Sequence, residues 1–369
     1  FWKHQVTPFS TNLYFNIGSH VSWKNVQLKI FCDKIMTVNK KCNMGLIILN
    51  LQQKKQKHWV RRGIITVLVV LGVALFGAGS YFFHVGMVPG HKSFVKNNQR
   101  IEKSDPLYTQ KMWFKHAQKQ HWTMKSVTKN YRLVADYIPA SHKTTKNVVI
   151  LHGFMGNKEK MGEYAALFHQ MGYNVLVPDA RAHGQSQGKY IGYGWPERCD
   201  VRKWTQKLIA HNGQDSQVVI YGVSMGGATT MMTSGIHMPK QVKAYVEDCG
   251  YSSLNDELNY EAGNLYNIPT PIRWPLVKTL SLINRIRNGF FTGEASSVNS
   301  LHHNHLPMLF IHGSNDHFVP TNMVYANYRA TQGPKQLWVV NGASHASSFA
   351  HSPQSYRHHL ERFLGRYVK

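Results

Sequence analysis

The sequence predicts an α/β fold, a mostly parallel central sheet covered by helices on both faces, and three observations carry that prediction. From residue 147 onward, short apolar runs alternate with helical patterns, as parallel strands require because each needs a crossover connection. The runs are apolar rather than half polar, which suits strands buried on both faces. One of them, residues 218–221, ends in Gly222-Val223-Ser224-Met225-Gly226, a strand turning sharply into a helix that opens on small residues. In such sheets ligands sit at the carboxyl ends of the strands, so the segments that follow each strand are where chemistry is expected.

The 369 residues are enough for one large α/β domain with an appendage or for two ordinary domains. The net charge of +25 is unevenly spread: residues 1–62 carry 11 Lys and Arg against one acid, residues 92–146 carry 12 against three, and residues 147–369 carry 20 against 14. A basic tail beside an apolar span suits anionic lipid headgroups better than a nucleic-acid groove, so no nucleic-acid partner is expected. Cys32, Cys42, Cys199 and Cys249 are too few for a disulfide scaffold and lack metal-ligand spacing, and the 22 histidines are scattered. Neither a metal nor another cofactor is expected.

Taken in order, residues 1–62 form a basic segment without sustained periodicity, expected to be cytoplasmic. The chain opens on Phe1, and Met36 and Met44 are alternative starts, in which case the residues upstream belong to no folded element. Residues 63–83 hold no charge and are rich in Val, Leu, Ile and Gly, enough at about 20 residues to cross the hydrocarbon core. Lys54, Lys55, Lys57, Arg61 and Arg62 precede them, so an uncleaved anchor leaves the following domain outside the cytoplasm. Ala78-Gly79-Ser80 keeps a cleaved signal open as an alternative, and a buried core helix is the other. Residues 84–120, broken by Pro89-Gly90 and Pro106, read as a linker with one helix around residues 107–118.

A globular domain is expected over residues 121–369. A hairpin opens it, with strands at 122–128 and 131–138 flanking Lys129-Asn130. Strand 147–151, helix 161–171, strand 174–178 and helix 197–210 follow. Strand 217–221 feeds helix 225–236, then come strand 242–247, strand 308–312, helix 322–330, strand 335–340 and a closing helix near 354–367. Residues 252–306 are too long for a plain connection. Leu254, Leu258, Ala262 and Leu265 share one helical face with Asp256 and Glu257 in the first turn, and Leu276, Leu280 and Ile283 share another. Pro269, Pro271 and Pro275 mark the join, and Asn288-Gly289 ends the second helix. A small helical cap over the strand ends is expected.

Ser224 at the tip of the elbow is the candidate nucleophile, with Gly222 and Gly226 there because two backbones approach too closely for side chains. Three further motifs fall at strand ends: Leu151-His152-Gly153-Phe154-Met155-Gly156, His312-Gly313-Ser314-Asn315-Asp316 and Asn341-Gly342-Ala343-Ser344-His345. Together with the elbow, and in the chain order Ser, Asp, His, they resemble the α/β-hydrolase fold from about residue 122 to the end. The apolar span and Asp179-Ala180-Arg181-Ala182-His183-Gly184-Gln185-Ser186 further resemble bacterial membrane-anchored or cell-surface members of that family.

The resemblance implies His345 as the base that takes the serine proton and Asp316 as the acid that orients it. Asp248, ending the preceding strand, is the rival acid. His152 and His312 belong to turns, and His183, His317 and His351 read as exposed or structural. By the same resemblance the backbone N–H groups of Phe154 and Met225 form the oxyanion hole. The expected activity is hydrolysis of an acyl bond, foremost a carboxylic ester, through an acyl-enzyme. The expected partners are a small acyl ester or a peptide as substrate, and the lipid bilayer. A serine exopeptidase is the alternative enzyme, for which no acidic subsite for a peptide amine is visible in the sequence, and a surface binding module without turnover is the alternative of another class.

Overall fold

The computed structural model describes residues 24–90 and 101–369, so the start of the basic segment and residues 91–100 of the expected linker lie outside the described residues. The chain divides into two units, one ending at Gly72 and one running from Val73 to Lys369. Helix α1 (Lys24–Met87) begins in the first unit, where its side chains from residue 27 to 72 are exposed almost throughout. By length and composition α1 is able to cross a membrane.

The second unit opens with the last turns of α1, of which one face, carrying Gly79, Phe83 and Met87, is buried. Phe83 and Met87 are fully buried. A Cβ on Gly79 would stand 2.7 Å from Thr279 Cγ2, so a larger residue there would have to push the Thr279 side chain aside. Tyr193 donates its hydroxyl to the Gly86 carbonyl at 2.8 Å, and the Ile191 N–H donates to the Met87 carbonyl at 2.8 Å. The helix thus continues four residues beyond the span expected from the sequence, into what was read as linker. An apolar helix facing lipid and one facing a protein core have the same composition.

Helix α2 (Tyr108–His116) precedes a hairpin of β1 (Gln120–Lys125) and β2 (Arg132–Ile138), turned by Lys129 and Asn130 at φ 65° and 54°. Then follow β3 (Lys146–Leu151), α3 (Gly162–Gln170), β4 (Asn174–Pro178), α4 (Glu197–Asn212), β5 (Gln217–Val223), α5 (Met225–Ser234) and β6 (Val242–Asp248). The insertion supplies α6 (Leu254–Asn264), α7 (Thr270–Asn288) and α8 (Ser297–Leu301). Pro271 sits in the first turn of α7, where a missing N–H costs nothing, whereas Pro275 lies inside the helix. The chain closes with β7 (Met308–Gly313), α9 (Asn322–Ala330), β8 (Lys335–Val340), α10 (Ser348–His351) and α11 (Pro353–Leu364).

The eight strands form one sheet in the order β1-β2-β4-β3-β5-β6-β7-β8, antiparallel as far as the β2–β4 pair and parallel from there on. Alternate side chains serve opposite faces. On β5, Val218 and Ile220 pack toward Trp204, Met231 and Phe83, while Val219 and Tyr221 pack toward Phe168, Phe349 and Tyr356. Parallel β3, β5, β6, β7 and β8 all end on one edge, and the four sequence motifs fall there.

Candidate active site

Ser224 occupies the turn between β5 and α5 at φ 59°, ψ −119°, a left-handed conformation held by its surroundings. Its own N–H donates to the Asp248 carbonyl at 2.7 Å. A Cβ on Gly222 would collide with the Gly226 carbonyl, and one on Gly226 with the Leu151 carbonyl. Those glycines let β5, α5 and the end of β3 meet behind the serine. Ser224 as a residue is 7% exposed.

Three side chains from three strand ends converge here. His345 Nε2 lies 2.9 Å from Ser224 Oγ, and His345 Nδ1 lies 2.7 Å from Asp316 Oδ2. An ionised carboxylate only accepts, so Nδ1 carries the proton and Nε2 is left to accept from the serine hydroxyl. Asp316 Oδ1 accepts the N–H groups of Phe318 and Val319 at 3.0 and 2.9 Å. Burial alone would raise the Asp316 pKa, but hydrogen bonds and positive charge from His312 and His345 hold it well below the usual carboxylate range.

Asp248 is brought to a different place. Its carboxylate accepts from Tyr356 Oη at 2.8 Å and from Ser348 Oγ at 3.3 Å, and burial pushes its pKa up to about 6. His152 and His183 stand behind the motif loop. His152 donates through Nδ1 to the Gly153 carbonyl at 2.8 Å and accepts the Ala180 N–H through Nε2 at 3.0 Å. His183 accepts the Met155 N–H at 3.3 Å, where Met155 holds φ 55° in a turn closed by Gly156 N–H to the Gly153 carbonyl. Burial lowers both imidazoles, to about 4 and about 3, so they are neutral struts. Within the resembling Asp179–Ser186 segment, Asp179 accepts the Lys158 and Gln185 N–H groups, and Arg181 pairs with Asp200, which shapes loops rather than the reacting centre. His317 and His351 are exposed.

His312 was read as a turn residue and does more. It is fully buried, its Nε2 donates to the Val319 carbonyl at 2.9 Å, and the same nitrogen stands 3.4 Å from Asp316 Oδ2. Cys249, Asp316 and His345 bring ligand-type atoms within 4.8 Å of one another. That grouping is the acid and base already described plus a thiol kept protonated by burial and by the charges of Asp248 and Asp316.

A cavity with about 830 Å³ of empty space opens on Ser224. Phe154 and Met225 line it, with Phe154 stacked on Tyr193 at 5.4 Å between ring centroids. One wall is the end of α1, through Phe82, Val85 and Gly86, and another is α7, through Leu276, Val277 and Leu280. The insertion therefore covers the strand ends and shapes the substrate space. From α6 come Leu258 and Ala262, from the residue after it Leu265, and with them Glu257 and Glu261. Sequence reading missed both acids as site residues and placed Glu257 as a first-turn acid. The signal was present: residues 254, 257, 258, 261, 262 and 265 follow one helical stripe, so both acids fall on the apolar face.

A sequence profile described as the α/β hydrolase fold matches residues 146–269. The uncharacterized protein YqkD of Bacillus subtilis is 30% identical over 231 residues, which cover 63% of this chain and 75% of that protein. An esterase of Pyrococcus furiosus superposes with a TM-score of 0.57 at 21% identity, over 77% of this chain and 99% of its own. An acylaminoacyl peptidase of Pyrococcus horikoshii does so with 0.51 at 16% identity, over 69% of this chain and 42% of its own. At such identities these two structures share the fold, and nothing about substrate follows from them.

Proposed function

Because this chain belongs to the α/β-hydrolase fold family, we propose that it is a membrane-anchored carboxylesterase, a serine hydrolase that cleaves an ester of an apolar acyl group through an acyl-enzyme. The observation that carries the reading is the unbroken line of hydrogen bonds from Asp316 through His345 to Ser224 Oγ, at the wall of a mostly apolar cavity.

Attack of Oγ on the ester carbonyl transfers its proton to His345 Nε2, and Asp316 stabilises the imidazolium that results. The oxyanion is received by two main-chain N–H groups. Met225 is the first residue of α5, where helical N–H groups point outward without an intrahelical acceptor, and Phe154 belongs to the loop pinned by His152 and His183. The loop contributes backbone, so its side chains are free to shape the cavity. His345 then returns the proton to the leaving alcohol, and water repeats the sequence on the acyl-enzyme.

Helix α1 is the anchor in this reading. The basic residues from Lys54 to Arg62 ahead of its uncharged turns keep the N-terminus cytoplasmic, so the catalytic domain faces the other side. The burial of Phe83 and Met87 gives the anchor a second role as part of the enzyme. One experiment tests nucleophile and topology together. A membrane-impermeant fluorophosphonate probe added to intact cells should label the wild type and leave folded Ser224→Ala unlabelled. Labelling of folded Ser224→Ala at wild-type level would refute the nucleophile, and labelling only after permeabilisation would reverse the topology.

A further inference from the structure

The cavity that opens on Ser224 contains two carboxyl groups for which the triad has no use. Glu257 and Glu261 are one helical turn apart on α6, and both line the space. Glu257 is 6% exposed, and its Oε2 is buried without a hydrogen-bond partner, as is Oε2 of Glu261. The contact of Glu261 with Asn264 Nδ2, at 3.4 Å, is long. Among the described residues that line the cavity there is no Lys, Arg or His, in a chain whose net charge is +25.

Buried carboxyl groups are ordinarily paired, because an unpaired one loses its hydration and gains nothing in return. Here every neighbouring charge makes matters worse. Burial first, then Glu261, Asp316 and Asp256, raise the Glu257 pKa far above the carboxylate range, and burial with the charge of Asp316 brings Glu261 to about 7. A cationic group entering the cavity would reverse each of these penalties. A neutral ligand would leave them in place.

We propose that Glu257 and Glu261 form a subsite for an ammonium group carried by the substrate, so that the enzyme selects cationic acyl compounds over neutral ones of the same shape. This rests on the serine-hydrolase reading, since the subsite shares the cavity with Ser224. The apolar walls from α1 and α7 take the hydrocarbon part, and α6 supplies the charge recognition. The expected amphiphile is an ester or amide with a free amine.

The full chain in detergent micelles serves for the test. Ethyl esters of leucine and of 4-methylpentanoic acid differ by an amine on the acyl side; butyrylcholine and 3,3-dimethylbutyl butyrate differ by a cation on the alcohol side. Leucinamide separates a peptide-like source from an ester. In at least one ester pair the cationic member should have a kcat/KM at least about tenfold higher, and Glu257→Gln and Glu261→Gln should each bring that ratio toward one. Ratios at or below one in both pairs, or ratios unchanged in both variants, would overturn the subsite. A second readout needs no turnover: butylammonium should raise the Tm of Ser224→Ala more than butanol does, and Glu257→Gln in that background should abolish the difference. Absence of any ester hydrolysis together with an intact butylammonium shift would fault the hydrolase reading and leave the subsite standing. Hydrolysis of neutral esters with no cation preference and no shift would do the reverse.

Discussion

Asp248 and Asp316 end neighbouring parallel strands, β6 and β7, and both are buried, yet only one of them meets the base. Asp316 stands three residues past β7, in a turn whose own N–H groups, from Phe318 and Val319, fix one carboxylate oxygen and leave the other for His345. Asp248 is still within its strand, and its side chain turns to Tyr356, itself hydrogen-bonded to Tyr221 at 2.7 Å. What Asp248 gives the site comes from its main chain, whose carbonyl accepts the Ser224 N–H. Surroundings follow the same division. Asp316 is stabilised as an anion by two histidines, and Asp248, among tyrosines, is pushed toward the neutral acid. A carboxylate at a strand end becomes the triad acid when the turn beyond the strand supplies N–H donors and an imidazole, and proximity to the nucleophile is not enough.

The largest effect expected from this contrast is on turnover. Asp316→Asn should lower kcat about 10,000-fold, because an amide in that position no longer enforces the Nδ1–H tautomer of His345. Asp248→Asn leaves the main-chain bond to Ser224 untouched, so kcat should stay within about threefold while stability falls by about 1–3 kcal/mol, because an amide offers one acceptor oxygen where the carboxylate offers two to Tyr356 and Ser348. Steady-state kinetics and thermal melts on the two purified variants decide the matter. Loss of kcat in Asp248→Asn with Asp316→Asn near wild type would exchange their roles.

Much of this contrast was legible beforehand, because it lies in the order of motifs along the chain. The bounds of β4, β8 and α9 are those the pattern predicts, and β5 runs two residues further only because Gly222 and Val223 still pair with Glu247 and Asp248. Ser224, Asp316 and His345 were readable since each sits in a short segment whose turn chemistry is local. What was not readable depends on partners distant in sequence. Nothing in residues 78–87 tells a lipid-facing turn from one packed on α7, and nothing around His312 announces that its ring reaches Asp316. Glu257 and Glu261 were hidden differently: their spacing puts them on the buried stripe, but Glu257, as a first-turn acid, has a ready explanation in the helix dipole, and Glu261 alone reads as an ordinary polar residue of a surface helix.

The second effect is on stability against pH, and the two acids should differ in sign. Burial raises the Asp248 pKa in the folded state to about 6 from the ordinary 3.8, so the folded state holds its proton longer than the unfolded chain. Its contribution is fully present below about pH 4 and is lost as pH rises through 6, on the order of 2–3 kcal/mol. Asp316 is displaced the other way, and its contribution is present above pH 4 and lost as pH falls below it. The Tm of the wild type minus that of Asp248→Asn should therefore decline between pH 4 and 6, and the same difference taken with Asp316→Asn should shrink on acidification below 4. Other buried acids, such as Glu247 at about 8, are common to all three proteins and cancel in the differences. Parallel curves for the two variants would break the distinction.

The smallest effect comes from removing one outer partner of each acid. Tyr356→Phe deprives Asp248 of its shorter hydrogen bond and should cost about 1–2 kcal/mol of stability with kcat unchanged, since nothing in that network touches His345. His312→Leu deprives Asp316 of a donor at 3.4 Å and leaves it the Phe318 and Val319 N–H groups and His345 itself. With one donor fewer, Asp316 is held less firmly and aligns His345 less sharply, so kcat should fall about three- to tenfold. His312→Gln, which keeps an N–H donor in the same region, should restore most of that loss. A melting temperature that falls in His312→Leu while kcat stays at the wild-type value would make His312 a packing residue, and the environment of Asp316 would then rest on its turn alone.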